Sequence, residues 1–144
     1  MNINISGWEL LQVRFIRENL KVDRNEIFEY VKKHYGTIQE YLWSSSPDSA
    51  VLRHKNGKWY GIIMNVEKSR LGLKGHGTVE IMNVKCDSVM AGMIIQTSGF
   101  LPGYHMNKRH WVTILLDETV EKSKLLDFLD MSYDLIEGKG KIQN

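Results

Sequence analysis

Asn56-Gly57 constrains this chain more than any other pair of its residues. The dipeptide favours a two-residue turn whose central residues take positive φ, and the segments on both sides of it alternate in polarity. Ala50, Leu52 and His54 alternate with Val51, Arg53 and Lys55 before the turn. Tyr60, Ile62, Met64 and Val66 alternate with Trp59, Gly61, Ile63 and Asn65 after it. A β-hairpin over about 50–66 follows, so part of the sheet is antiparallel. With this parity, Tyr60, Ile62, Met64 and Val66 are expected on the face that packs against helices, leaving Trp59 and Ile63 on the other. A shift of one residue would exchange the two faces.

Around the hairpin the period changes to that of helices. Ser6-Gly-Trp-Glu9 has the spacing of a capping box, with Trp8, Leu11, Phe15 and Asn19 at helical intervals, and predicts a helix over about 7–19. Asp23-Arg-Asn-Glu26 repeats the pattern. Ile27, Tyr30, Val31 and His34 then mark one face, and Gly36 supplies a stop, so a second helix runs over about 24–35. A loop with Gly72, Gly75 and Gly77 leads to a strand at about 78–84. Asp87 caps a short helix over 88–96 in which Val89, Met93 and Ile94 face inward. Extended chain over 100–104 and a strand at 110–116 form a second pair. A last helix over about 120–136 carries Leu125, Phe128, Leu129, Ser132 and Ile136 on one stripe. The order is helix, helix, three strands, helix, two strands, helix. The class is therefore α+β, an antiparallel sheet with helices packed on one face.

Composition places the chain among soluble globular proteins, with 42% hydrophobic and 25% charged residues in 144. The single cysteine, Cys86, excludes an internal disulfide and suits a reducing compartment. No stretch reads as a signal peptide or a bilayer span, so the expectation is a cytoplasmic monomer without membrane attachment. The formal net charge of +2 is unevenly spread. Residues 50–85 carry seven Lys/Arg against Glu67 and Glu80, while the segments before 50 and after 116 are net acidic. A basic middle of this kind orients an anionic partner.

The densest cluster of chemistry is Pro102-Gly-Tyr-His-Met-Asn-Lys-Arg-His-Trp111, a turn between two strands. Metal binding is not encoded there: His105 and His110 lie five apart, with no Cys-x-x-Cys or His-x-x-x-His pair. Gly72-Leu-Lys-Gly75 lacks the flanking helices of a backbone-clamping Gly-x-x-Gly loop, and no Gly-Lys-Ser/Thr follows for a P-loop. No Gly-x-Ser-x-Gly elbow exists, and Ser132 reads as a small residue bonded within its own helix. The expectation is a protein with no catalytic residues and no cofactor.

Asn83-Val-Lys-Cys-Asp87, the Pro102–Trp111 segment and Ser132-Tyr-Asp-Leu-Ile136, together with the hairpin Gly57-Lys-Trp-Tyr-Gly-Ile62, resemble the MmcQ/YjbR family of small bacterial proteins. The resemblance covers about residues 23–137. It leaves 1–22 as an N-terminal helical extension and 138–144 as a mobile tail. It implies a CyaY-like fold and, by analogy with a double-wing arrangement of hairpins, DNA binding; no enzymatic activity or cofactor is established for the family. The chain departs from the family at Gly36-Thr-Ile-Gln39, where a proline-containing turn is usual, and over Ser69–Thr78.

Two functions fit these residues. In the first, a nucleic-acid-binding protein, Arg53, Lys55, Lys58, Lys108 and Arg109 neutralise phosphates. Asn107, His105 and Trp111 contact bases or sugars, beside a platform of Trp59 and Trp111 on the outer sheet face. If the N-terminal helix covers that face, only the turn tips remain. The alternative is a module for a protein or small ligand, with Tyr104, His105 and Trp111 lining a pocket.

Overall fold

The computed structural model describes residues 6–12 and 22–138. Residues 7–12 lie in a helix (α1), opened by the expected capping box: Ser6 and Glu9 exchange backbone-to-side-chain hydrogen bonds of 3.2 Å. The remaining elements are α2 (Arg24–Tyr35), β1 (Ala50–Arg53), β2 (Trp59–Glu67), β3 (Thr78–Lys85), α3 (Ser88–Ile94), β4 (Phe100–Pro102), β5 (Trp111–Leu115) and α4 (Lys122–Glu137). A short 3-10 turn at Lys68–Leu71 follows β2. The strands form one antiparallel sheet in the order β1-β2-β3-β5-β4, and the fold is α+β.

Helix boundaries follow from their caps. Asp23 accepts a hydrogen bond from the Glu26 N–H at 2.9 Å, and Gly36 ends α2 in the left-handed region (φ 69°), where a side chain would be strained. Asp87 caps α3 in the same way, accepting from Val89 and Met90. The inward face of α3 keeps the expected Ile94 but differs otherwise. Ala91 is buried with Met90 and Ile94 beside it, whereas Val89 and Met93 are exposed. A small alanine lets a two-turn helix approach closely, and the stripe 90, 91, 94 then packs while 89 and 93 turn outward.

All the longer helices lie on one face, which we call the helix face. There Ala50, Leu52, Ile63, Met82, Val84, Phe100, Val112 and Ile114 pack with Ile27 and Val31 of α2 and Leu125, Leu129 and Ile136 of α4. Gly61 sits at the closest approach: a Cβ there would stand 2.9 Å from Leu52 Cδ1 and 3.5 Å from Leu129 Cδ1. Burying each large aliphatic side chain contributes about 1.5–3 kcal/mol, and this face holds most of them.

The parity of β2 is corrected by a bulge. Leu52 pairs with Gly61 but Arg53 pairs with Trp59, so Tyr60 is an extra residue. Tyr60 and Gly61 both belong to the helix side, which sends Ile62, Met64 and Val66 to the opposite face and Ile63 to the helices. Tyr60 is fully buried; its hydroxyl donates to Thr37 Oγ1 at 2.6 Å and its ring meets Tyr133 edge-on. Ser132 repairs the ladder. The regular pairing of β2 with β3 stops at Gly61–Val84, and the Ser132 hydroxyl enters the next rung, accepting from Lys85 N–H at 2.8 Å and donating to Tyr60 C=O at 2.6 Å. It bridges two strands rather than bonding within its own helix.

Among the described residues the opposite face carries no long helix, and we call it the loop face. Val66, Val79, Ile81 and Leu115 form a second, smaller core there, closed by Met64, Leu71, Leu73, Leu101 and Tyr104. Its polar members are a buried pair: Thr113 Oγ1 donates to Asn83 Oδ1 at 2.5 Å. The described residues of α1 do not cover this face. Residues 6–12 are all exposed, and the part of the expected first helix over 13–19 lies outside the described residues, as do 139–144 of the expected tail. At the edges, Glu40 forms an isolated antiparallel bridge with Val51 beside β1, and β4 ends in Pro102.

Candidate functional site

Strand direction brings two turns to one end of the sheet. β2 starts, β3 ends and β5 starts there, so the 54–58 hairpin tip and the 103–110 turn flank the end of β3. Three strand spacings, about 14 Å, separate their midlines. Both turns are held rigidly. In the tip, Asn56 accepts from Lys58 N–H through Oδ1 and donates through Nδ2 to the Ile136 carbonyl at the end of α4. His54 Nδ1 accepts from Asn56 N–H. In the 103–110 turn, Gly103 donates to the Trp111 carbonyl, and a Cβ on Gly103 would stand 2.9 Å from that oxygen. Only glycine permits this approach.

Lys55 and Lys58 are exposed on the first turn, Lys108 and Arg109 on the second. None of the four belongs to an ion pair among the described residues. Lys108 Nζ donates one hydrogen bond to the Gly103 carbonyl at 3.1 Å, which leaves two of its protons outward. Arg53 stands apart from the role expected of it. Its guanidinium pairs with Glu40 at 2.8 Å and donates to the Gly57 carbonyl at 3.1 Å, so it fastens the hairpin to the chain beside β1. Asn107 also has work inside its turn, where Oδ1 accepts from Arg109 N–H at 3.0 Å. An Asx turn of this kind shapes the loop and occupies the oxygen that would read a base edge.

The expected aromatic platform is not open. Trp59 meets Trp43 edge-on at 5.7 Å, Val51 and Thr113 are buried, and Ile63 lies on the helix face. Trp111 is half-buried against Gly103. Trp59 beside Trp43 and Trp111 beside Gly103 are each half-buried, and three segments cross the loop face: 43–46, 68–77 and 103–105.

Those segments leave a cleft of about 440 Å³ between them. Met64 and Val66 contribute apolar surface, Ser45 and Ser46 stand on one side, and Tyr104 with His105 on another. Asn65, Glu67, Arg70 and Thr78 complete the polar lining. The Tyr104 and His105 rings stack at 4.0 Å and 13°. The buried Asn83–Thr113 pair holds this wall: Tyr104 N–H donates to Thr113 Oγ1 at 2.8 Å, and Asn83 Nδ2 donates to the Tyr104 carbonyl at 3.0 Å. His105 adopts φ 57°, a left-handed conformation uncommon outside glycine. Thus His105 joins the cleft, while Lys108, Arg109 and Trp111 stay with the turn. Arg70, Ser45, Ser46 and Met64 were not singled out by sequence. No spacing rule joins positions 45, 64, 70 and 105.

Cys86, the lone thiol, is buried behind β3, and burial followed by the nearby Asp87 charge pushes its pKa up to about 11. It is a packing residue at neutral pH. No helix of the described residues is long and apolar enough to cross a membrane.

Comparison with known proteins agrees with this architecture. The chain is 42% identical over 113 residues to the Bacillus subtilis protein YyaQ, covering 78% of this chain and 96% of that one. A crystal structure of a Pseudomonas syringae protein superposes with a TM-score of 0.77 at 31% identity, covering 79% of this chain and 98% of its own. The fold is shared with the Deinococcus radiodurans protein DR2400, at a TM-score of 0.62 and 21% identity, over 83% of this chain and 81% of that one. The YjbR family model matches residues 32–135, which hold the hairpin, the 103–110 turn and most of α4, and the chain belongs to the YjbR family.

Proposed function

We propose that this protein binds nucleic acid through its two basic turns, as a non-catalytic cytoplasmic monomer without a cofactor. One observation carries the reading: Lys55 and Lys58 on one rigid turn, and Lys108 and Arg109 on the other, project from the same end of the sheet and belong to no ion pair among the described residues. Cations held on rigid turns neutralise phosphates with little further loss of side-chain and loop entropy. Neutralised phosphates release counterions, which drives association and makes it depend on salt. Arg53 supports the first turn through Glu40 rather than touching phosphate. With Trp59 and Trp111 each half-buried and Asn107 Oδ1 engaged, the contact is to backbone rather than to base edges.

The test is binding to labelled single- and double-stranded DNA across a salt series. The wild-type protein is compared with Lys55→Ala/Lys58→Ala and Lys108→Ala/Arg109→Ala. Each double variant is expected to lower the slope of log K against log salt by about two, one for each lost phosphate contact. Absence of binding at low salt, or variants with unchanged slope, overturns the reading.

A further inference from the structure

We infer that the loop-face cleft is a binding site for a small heteroaromatic anion of nucleotide type: a planar ring with N–H or O–H donors, joined to a phosphate or carboxylate. Its volume, about 440 Å³, lies in the range of small-molecule sites. Met64 and Val66 offer apolar surface to a ring, and the stacked Tyr104–His105 pair offers a flat aromatic wall. Arg70 is exposed on the lining and belongs to no ion pair among the described residues, so its guanidinium fork is available to an anion. Glu67 lines the same cleft without pairing with Arg70, and a carboxylate there accepts from ring or sugar donors. The hydroxyls of Ser45 and Thr78 add polar partners.

The support behind His105 separates this cleft from an incidental gap between loops. Two wholly buried polar side chains, Asn83 and Thr113, bind both backbone groups of Tyr104, and the next residue is held in a left-handed conformation. Apolar side chains would fill the sheet face at those two positions without a polar network. The network instead fixes where the imidazole stands, which is the preorganisation that a binding wall requires. This site shares no cation with the basic turns, so either reading can fail without the other.

The experiment is a titration of the ¹⁵N-labelled full chain with adenosine monophosphate, with adenosine and inorganic phosphate as parallel probes. Amide shifts that saturate at residues 64–67, Arg70 and 104–105 are expected with the monophosphate. Arg70→Gln, on an exposed position, should weaken the monophosphate about tenfold and leave adenosine unchanged, as expected for one charge-assisted contact. His105→Gly keeps the backbone conformation, removes the ring, and should weaken both. The inference is overturned if adenosine, guanosine, cytidine and uridine monophosphates all leave those amides unmoved. Shifts confined to Lys55, Lys58, Lys108 and Arg109 overturn it equally, as does an Arg70→Gln variant that binds the monophosphate as the wild type does.

Discussion

The two faces of the sheet are closed in different ways. On the helix face, α2 and α4 each lay down a row of buried residues at regular intervals, and Leu129, Leu125 and Ile27 are buried almost completely. On the loop face, three irregular segments supply scattered apolar residues (Leu71, Leu73 and Tyr104 among them), and several stay half-exposed. A helix cannot yield at one residue without disturbing its neighbours along the row, so the first face opens only with the whole fold. Segments held by one or two contacts each can open separately. The face whose segments can open separately is the one that holds the cleft of about 440 Å³.

Truncating matched leucines is the strongest way to break this comparison. Leu129→Ala should cost about 3 kcal/mol in urea denaturation, because it removes a buried side chain that α4 cannot collapse to replace. Leu73→Ala, half-exposed on the other face, should cost less than about 1 kcal/mol. Equal losses would mean that both faces belong to a single cooperative core of the same quality.

Ser132→Ala examines the one place where a helix side chain completes the sheet. It leaves the Lys85 N–H and the Tyr60 carbonyl without their hydroxyl partner, and should cost about 2 kcal/mol. Ser132→Thr, which retains the hydroxyl, should recover part of that loss in the same denaturation assay.

Asn83→Ala sharpens the comparison from the loop side. Thr113 and the Tyr104 carbonyl lose a partner, and a destabilisation of about 1–2 kcal/mol is expected. Amide exchange should accelerate at residues 103–105 while α4 stays protected; uniform acceleration would show that the loop face does not open separately.

The smallest effect is a decline in alkaline solution. Burial raises the Cys86 pKa to about 11, and burial with Asp130 raises that of Tyr30 to about 12. Burial also raises Tyr35 and Tyr60, with the Asp130 hydrogen bond adding to the effect at Tyr35. All are neutral when protonated, and the unfolded chain releases these protons first. Their contribution is complete below about pH 9 and is lost as pH rises through the folded values. Unfolding free energy measured from pH 8 to 11 should fall, and Cys86→Ala should flatten the part that begins near pH 9.

Much of the helix face was legible in the order of residues. Asp23 and Gly36 bound α2 where expected and the stripe from Leu125 to Ile136 is the buried side of α4, while the hairpin turns through 55–57 with Gly57 at positive φ and Asn56 not, one residue longer than the two-residue turn expected. These signals are local or periodic. The bulge at Tyr60 was not legible, because an extra residue in one strand is defined only against its partner. One bulge exchanged the faces of Ile62, Ile63, Met64 and Val66, whereas Trp59 and Trp111 keep the face expected of them. The cleft was hidden for a related reason: Ser45, Arg70 and His105 meet only after three loops cross the sheet. Even the candidate cations were read unevenly, since a sequence shows Arg53 and Lys55 as similar charges while only Arg53 has Glu40 beside it.

The borders of the sheet carry a consequence for the protein at high concentration. An unpaired strand edge is a template for cross-β growth. Here one border is a three-residue strand closed by a proline, which has no N–H to offer, and the other is four residues long with Glu40 already occupying both backbone groups of Val51. A foreign strand finds little open ladder at either side, so self-templated aggregation would have to begin by peeling away Glu40 or by unfolding the chain.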